Sequence, residues 1–188
     1  MIGESGMAQF IPDELLDVPN VDLLQTFACE LVEGNNWAEF GVAGGGSARH
    51  FLQRMPENAV LHLFDSYDGL PEEWWFNDDF NYIGKFAQPH PPKITDDRVV
   101  WHNGMFADTL PKADLGVLDF VHIDCDIYSS TKTVFEHIEV RDGTIILFDE
   151  YWGYEDYRNH ERKAFMETGY SIEWEGKCRS QAVGRIRS

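Results

Sequence analysis

The stretch Trp37-Ala-Glu-Phe-Gly-Val-Ala-Gly-Gly-Gly-Ser47 constrains this chain more than any other. A short apolar run carrying one acid enters a turn with four glycines. Ser47-Ala-Arg-His-Phe-Leu-Gln-Arg-Met55 then reads as a helix, with Ala48, Phe51, Leu52 and Met55 on one face and Ser47 as the expected N-cap. Strand, glycine turn and helix N-terminus in that order specify a β-turn-α unit. Glycines let the backbone approach a ligand closely, and the free N–H groups of the helix face outward. Such a turn suits a nucleotide-like ligand, but it also occurs as a plain connection that binds nothing. The residues downstream decide between the two.

In chain order, residues 1–20 read as a Gly-, Pro- and Asp-punctuated lead-in. Val21 to Gly34 is an expected helix with the stripe Leu23, Leu24, Phe27, Ala28, Leu31 and Val32. After the glycine turn, Val60–Phe64, Arg98–His102, Phe120–Ile123 and Thr144–Phe148 read as strands. Ser129–Glu139 and a polar segment from Glu155 to Glu167 read as helices, the latter stopped by Gly169. Ser171–Trp174 and Gln181–Ile186 are expected to form a final antiparallel pair. Short apolar strands alternating with helices predict a mostly parallel sheet covered on both faces, an α/β three-layer sandwich. Ligands of such sheets sit outside the carboxyl ends of the strands, at the switch in strand order. That rule gathers the glycine turn, Asp65, Gly104, Asp124, Asp126, Asp149 and Glu150 at one sheet edge.

Residues 66–96 break the rhythm with Trp74, Trp75, Phe76, Phe80, Tyr82, Phe86 and Pro89-His-Pro-Pro92. So long an irregular stretch with so many aromatics is expected to be ordered, as a lid over the substrate or as an interface, including one in a homo-oligomer. The rest, residues 21–188, is expected to be a single domain.

Composition narrows the partners. Thirty-three acids against 15 bases give a formal charge of −18, which repels nucleic acid and anionic membranes. Three scattered cysteines form neither a disulfide framework nor a zinc pattern, which points to a reducing compartment. With no apolar N-terminal segment and no run of about 20 apolar residues, a cytoplasmic location is expected.

Asp65 follows Gly44 by about 20 residues, where dinucleotide folds place a carboxylate on the ribose hydroxyls. The loop argues against a dinucleotide, because Arg49 stands where the third glycine of G-x-G-x-x-G belongs. Glu39 suits a positively charged sulfonium better. Glu39-Phe-Gly-Val-Ala-Gly-Gly-Gly-Ser47 resembles motif I of the class I S-adenosylmethionine-dependent methyltransferases, and more narrowly the macrocin O-methyltransferase family. Phe64-Asp-Ser-Tyr-Asp-Gly-Leu-Pro71, His122-Ile-Asp-Cys-Asp-Ile-Tyr128 and Ile146-Leu-Phe-Asp-Glu-Tyr-Trp152 match that family's later signatures, in order. The resemblance implies a Rossmann-like sheet of seven strands with an antiparallel last strand. It implies methylation of a sugar hydroxyl of a natural product, with S-adenosyl-L-methionine and Mg²⁺ as cofactors. The donor would be bound by Glu39, Gly41, Gly44, Gly45, Ser47, Asp65, Ser66, Gly104, Phe106 and Asp124. The metal ligands would be Asp124, Asp149 and Glu150, where the family often has Asp-Asp in place of Asp149-Glu150.

The acids carry the metal reading without the family too. Hard oxygen ligands on adjacent strand ends, with no Cys or His cluster, suit Mg²⁺. Asp126, on the same strand face as Asp124, is the candidate general base. His122, His90 and His160 are the alternative bases, His122 reading rather as a core histidine. Two other functions are weighed: a catalytically silent module that keeps the fold for assembly, and a non-heme iron oxygenase using His122-x-Asp124. The oxygenase would need a double-sheet barrel that the β/α alternation contradicts.

Overall fold

The computed structural model describes residues 15–187; most of the expected lead-in, residues 1–14, lies outside the described residues. In chain order the elements are α1 (Val21–Leu31), β1 (Asn36–Phe40), α2 (Gly46–Leu52), β2 (Val60–Asp65), β3 (Trp74–Phe76), β4 (Asp79–Asn81) and β5 (Val99–Asn103). They continue with α3 (Phe106–Thr109), β6 (Val117–Ile123), α4 (Tyr128–Phe135), β7 (Glu139–Phe148), α5 (Glu161–Thr168), β8 (Ser171–Cys178) and β9 (Gln181–Arg187). Seven strands form one sheet in the order β5-β2-β1-β6-β7-β9-β8. All pairs from β5 to β7 are parallel, and β9 enters antiparallel between β7 and β8. This is the expected Rossmann-like sandwich, with the last strand as its antiparallel member.

Buried apolar residues build both faces. Leu24, Ala28, Ala48 and Phe51 of α1 and α2 pack on Trp37, Leu61, Leu63, Phe120 and Leu147. Val134, Phe135 and Phe165 of α4 and α5 pack on Phe40, Val121, Ile123, Ile146 and Phe148 of the opposite face. Leu118 and Phe120 would share a face in a regular strand, yet they serve opposite cores. The pairing of β6 with β7 shifts register between them, with the extra residues on β7 between Val140 and Ile145. Asp119 accepts from the N–H groups of Asn35 and Asn36, at the entrance of β1.

Local signals set most ends. The side chain of Asn20 accepts from Leu23 N at 2.9 Å and opens α1. Gly169, at φ 75°, closes α5. Three expectations are corrected. Helix α2 begins at Gly46 after Gly45, at φ 72°, and Ser47 is not its cap: the Ser47 hydroxyl donates to Glu39. Helix α5 starts at Glu161 rather than near Glu155, because Tyr157–Asn159 forms a separate tight turn. The irregular segment contains the hairpin β3–β4, pairing Trp74 with Asn81 and Trp75 with Phe80. Its inner side joins Leu70, Trp74, Ile127 and Tyr154 in a small cluster, while Trp75, Phe80, Tyr82, Ile83 and Phe86 stay exposed. Among the described residues no helix is long and apolar enough to cross a membrane.

Candidate active site

The strand order reverses at β1. From there the chain builds outward to β2 and β5 on one side and to β6 and β7 on the other, which opens a crevice above the carboxyl ends of β1 and β6. Gly41 ends β1 at φ 92°, and a Cβ there would overlap the carbonyl oxygen of Asp124. Only glycine allows the two strand ends to approach so closely. Above them lies a cavity of about 440 Å³.

Gly41, Asp65, Ser66, Gly104, Phe106, Asp124, Asp126, Asp149 and Glu150 all line this cavity. Glu39, Gly44, Gly45 and Ser47 do not. Glu39 is fully buried beneath the loop, where one oxygen meets the Ser47 hydroxyl and, at 3.1 Å, His122 Nδ1. Gly44 and Gly45 turn their carbonyls to the Arg49 guanidinium, each at 2.8 Å. A Cβ on Gly45 would press on Pro92. The residue that spoils the dinucleotide pattern thus clamps the loop from behind. Asp65 holds the loop from the front: Oδ2 accepts from Val42 N and Ala43 N, both at 2.8 Å, and Oδ1 from Tyr67 N at 2.7 Å.

The other half of the cavity is acidic. Ligand oxygens of Asp124, Asp126 and Glu150 lie within 4.8 Å of one another, and so do ligand atoms of His122, Asp124 and Asp149. Glu150 Oε2 is buried without a partner. Asp149 accepts from the Gln181 side chain, and Asp126 is held at φ 62°, a left-handed conformation that non-glycine residues adopt at some cost. Burial, and then repulsion from Asp149, pushes the carboxyl groups of Asp124 and Glu150 well above the usual carboxylate range. The same causes, with Asp65 added, push Asp126 up to about 7. Among the described residues no Lys, Arg or His lines the cavity. Carboxylates that converge and repel one another, one of them with a buried oxygen lacking any partner, fit a hard divalent cation, whose charge would reverse that balance.

None of the three candidate histidines lines the cavity. His122 and His160 are engaged by Glu39 and Asp156, and His90 is exposed. Sequence reasoning missed Glu161. It opens α5, is fully buried, and accepts from Cys125 N at 3.1 Å and Glu150 N at 3.0 Å. In sequence it is indistinguishable from an acid in the first turn of a polar helix. Trp74, Phe76 and Asn81 of the hairpin, which also line the cavity, were missed as individuals. The open parallel sheet leaves no place for the barrel that an iron oxygenase would need.

The fold and this crevice define a methyltransferase-type α/β domain. A profile of the methyltransferase domain family matches residues 38–151, more than half of the chain, and the chain belongs to that family. It is similar to the 8-demethyl-8-(2,3-dimethoxy-alpha-L-rhamnosyl)-tetracenomycin-C 4'-O-methyltransferase of Streptomyces olivaceus, with 28% identity over 137 residues. That match takes in 60% of this chain and 51% of the relative, so the chain spans about half the length of the curated protein it matches. Among solved structures, CalS11, a calicheamicin methyltransferase, superposes with a TM-score of 0.68 at 23% identity, over 87% of this chain and 78% of that one. The O-methyltransferase NovP superposes with a TM-score of 0.65 at 19% identity, over 89% and 79%. At these identities the two structures speak for the fold.

Proposed function

We propose that the protein is an S-adenosylmethionine-dependent O-methyltransferase that requires Mg²⁺ and acts on a hydroxyl group of a sugar or sugar-containing natural product. The observation that carries this reading is the joining, in one cavity with no basic residue among the described residues that line it, of a glycine turn anchored by Asp65 and a cluster of carboxylates. Membership of the methyltransferase domain family supports the reaction class. The relative whose name gives a rhamnosyl-bearing substrate supports the acceptor class.

Gly41, Asp65, Ser66, Gly104 and Phe106 would hold the donor. Asp65 Oδ2 is filled by the two loop N–H groups, and Oδ1, which accepts one, keeps a lone pair for a ribose hydroxyl. The donor supplies a methyl group on a positively charged sulfur, which the surrounding acids favour. Asp124, Asp149 and Glu150 would hold Mg²⁺, which supplies a Lewis acid beside the acceptor hydroxyl. Asp126 takes the hydroxyl proton: its carboxylate lines the cavity on the same turn as Asp124, within reach of a hydroxyl held there. Trp74, Phe76 and Asn81 line the cavity, so the hairpin serves as the lid that orients the acceptor and excludes water.

Methyl transfer from labelled S-adenosylmethionine to a panel of glycosylated natural products, with Mg²⁺ and with EDTA, tests this reading. Transfer that EDTA abolishes is expected. Asp126→Asn should lower kcat by about 10²- to 10⁴-fold while leaving S-adenosylhomocysteine affinity within about twofold. Full turnover in EDTA would remove the metal from the account, and full turnover by Asp126→Asn would remove its base.

A further inference from the structure

The β6–β7 ladder ends at the pair Ile123 and Phe148, followed by one bond from Asp149 N to Ile123 O at 2.9 Å. Beyond that point the two chains part, and the acids of the cavity hang on two separate turns. One turn carries Asp124 and Asp126 around Cys125, and the other carries Asp149 and Glu150. Glu161 reaches both from α5, accepting from Cys125 N with Oε1 and from Glu150 N with Oε2. It is fully buried and does not line the cavity. Both of its oxygens are engaged by backbone, so it is placed as a brace and not as a ligand. The turn it holds includes Asp126 at φ 62°, a conformation that persists only where its surroundings enforce it.

We propose that Glu161 is a positioning residue that fixes the spacing between the Asp124–Asp126 turn and the Asp149–Glu150 turn, and thereby sets the affinity of the site for a divalent cation. The proposal rests on the metal reading given above. A glutamine at this position keeps the length but turns an amide donor toward one of two N–H donors, so one brace is lost. The residues assigned to the donor come from β1, β2, β5 and the turns after them, and keep their support. Glu161→Gln therefore separates cation binding from donor binding.

The probe is Mn²⁺, titrated by electron paramagnetic resonance of the free ion, with calorimetry of S-adenosylhomocysteine alongside, on the full chain. Glu161→Gln is expected to weaken Mn²⁺ binding by about 10- to 100-fold with S-adenosylhomocysteine affinity within about twofold. Glu167→Gln, on the exposed side of α5, is expected to change neither. Unchanged Mn²⁺ affinity in Glu161→Gln overturns the proposal, and so does an equal loss of both affinities, which marks general loosening of the fold. If Glu161→Gln does not fold, Glu161→Asp, with both acceptors on a shorter arm, carries the same comparison, and the same two results overturn the proposal. A wild-type protein that binds no Mn²⁺ overturns the metal reading and this brace together, whereas failure in the variant alone overturns only the brace.

Discussion

Gly41 carries more of the structure than its size suggests. Its φ of 92° and the nearness of the Asp124 carbonyl leave no room for a Cβ. Gly41→Ala is expected to cost about 3 kcal/mol or more and to abolish S-adenosylhomocysteine binding, read by thermal unfolding and calorimetry. Wild-type stability in this variant would contradict the close approach of β1 and β6. At this scale the sequence was legible wherever a residue sat at a strand end. Gly41, Asp65, Asp124, Asp149 and Glu150 reach the cavity because the end of a parallel strand dictates where they go. It was less legible where a role depends on which neighbour a side chain meets. Glu39 points into the core toward His122, and Ser47 follows it, so neither lines the cavity. Glu161 comes from a helix with no motif, and only the tertiary fold brings it to Cys125 and Glu150.

The β2–β5 edge holds a pair that the catalytic reading does not use. His62 Nδ1 and His102 Nε2 lie 3.0 Å apart, and the His102 ring stacks on Phe64. Burial, and then the neighbouring imidazole, lowers His62 to about 4, and burial lowers His102 as well. A histidine with a depressed value in the folded state is protonated first in the unfolded chain. Its stabilisation is therefore present above the ordinary histidine value and is lost as the pH falls toward about 4. The stability difference between wild type and His62→Phe should thus shift against the wild type on going from pH 7 to pH 4.5, followed by thermal unfolding. A difference constant across that window would contradict the role given to this half-buried pair. Among elements, the five strands of the α/β alternation and the final antiparallel pair were readable from apolar runs bounded by turns. The hairpin was not, because Trp74–Phe76 and Asp79–Asn81 are each three residues long, shorter than any periodicity can declare. The start of α5 was misread because the polar residues before it look alike whether coiled into a tight turn or a helix.

For the molecule as a whole, the excess of acids has a local expression. A chain of charge −18 gathers carboxylates at the carboxyl edge of its sheet, and among the described residues no basic one lines the cavity there. The order β5-β2-β1-β6-β7-β9-β8 puts the glycine turn and the acids on opposite sides of a single crevice. That topology follows from the alternation of strands and helices, which is why fold and site were legible together. The outer face of the hairpin, with Trp75, Tyr82 and Ile83 exposed, carries no such signature. In the proposed reading this crevice takes an S-adenosyl donor beside a divalent cation. Calorimetric titration of S-adenosylhomocysteine into the protein, in Mg²⁺ and again in EDTA, with a separate titration of Mg²⁺, tests it most directly. Saturable binding of S-adenosylhomocysteine at one site per chain, and of Mg²⁺ in a manner that Asp124→Asn abolishes, is the predicted result; a protein that binds neither would contradict the account.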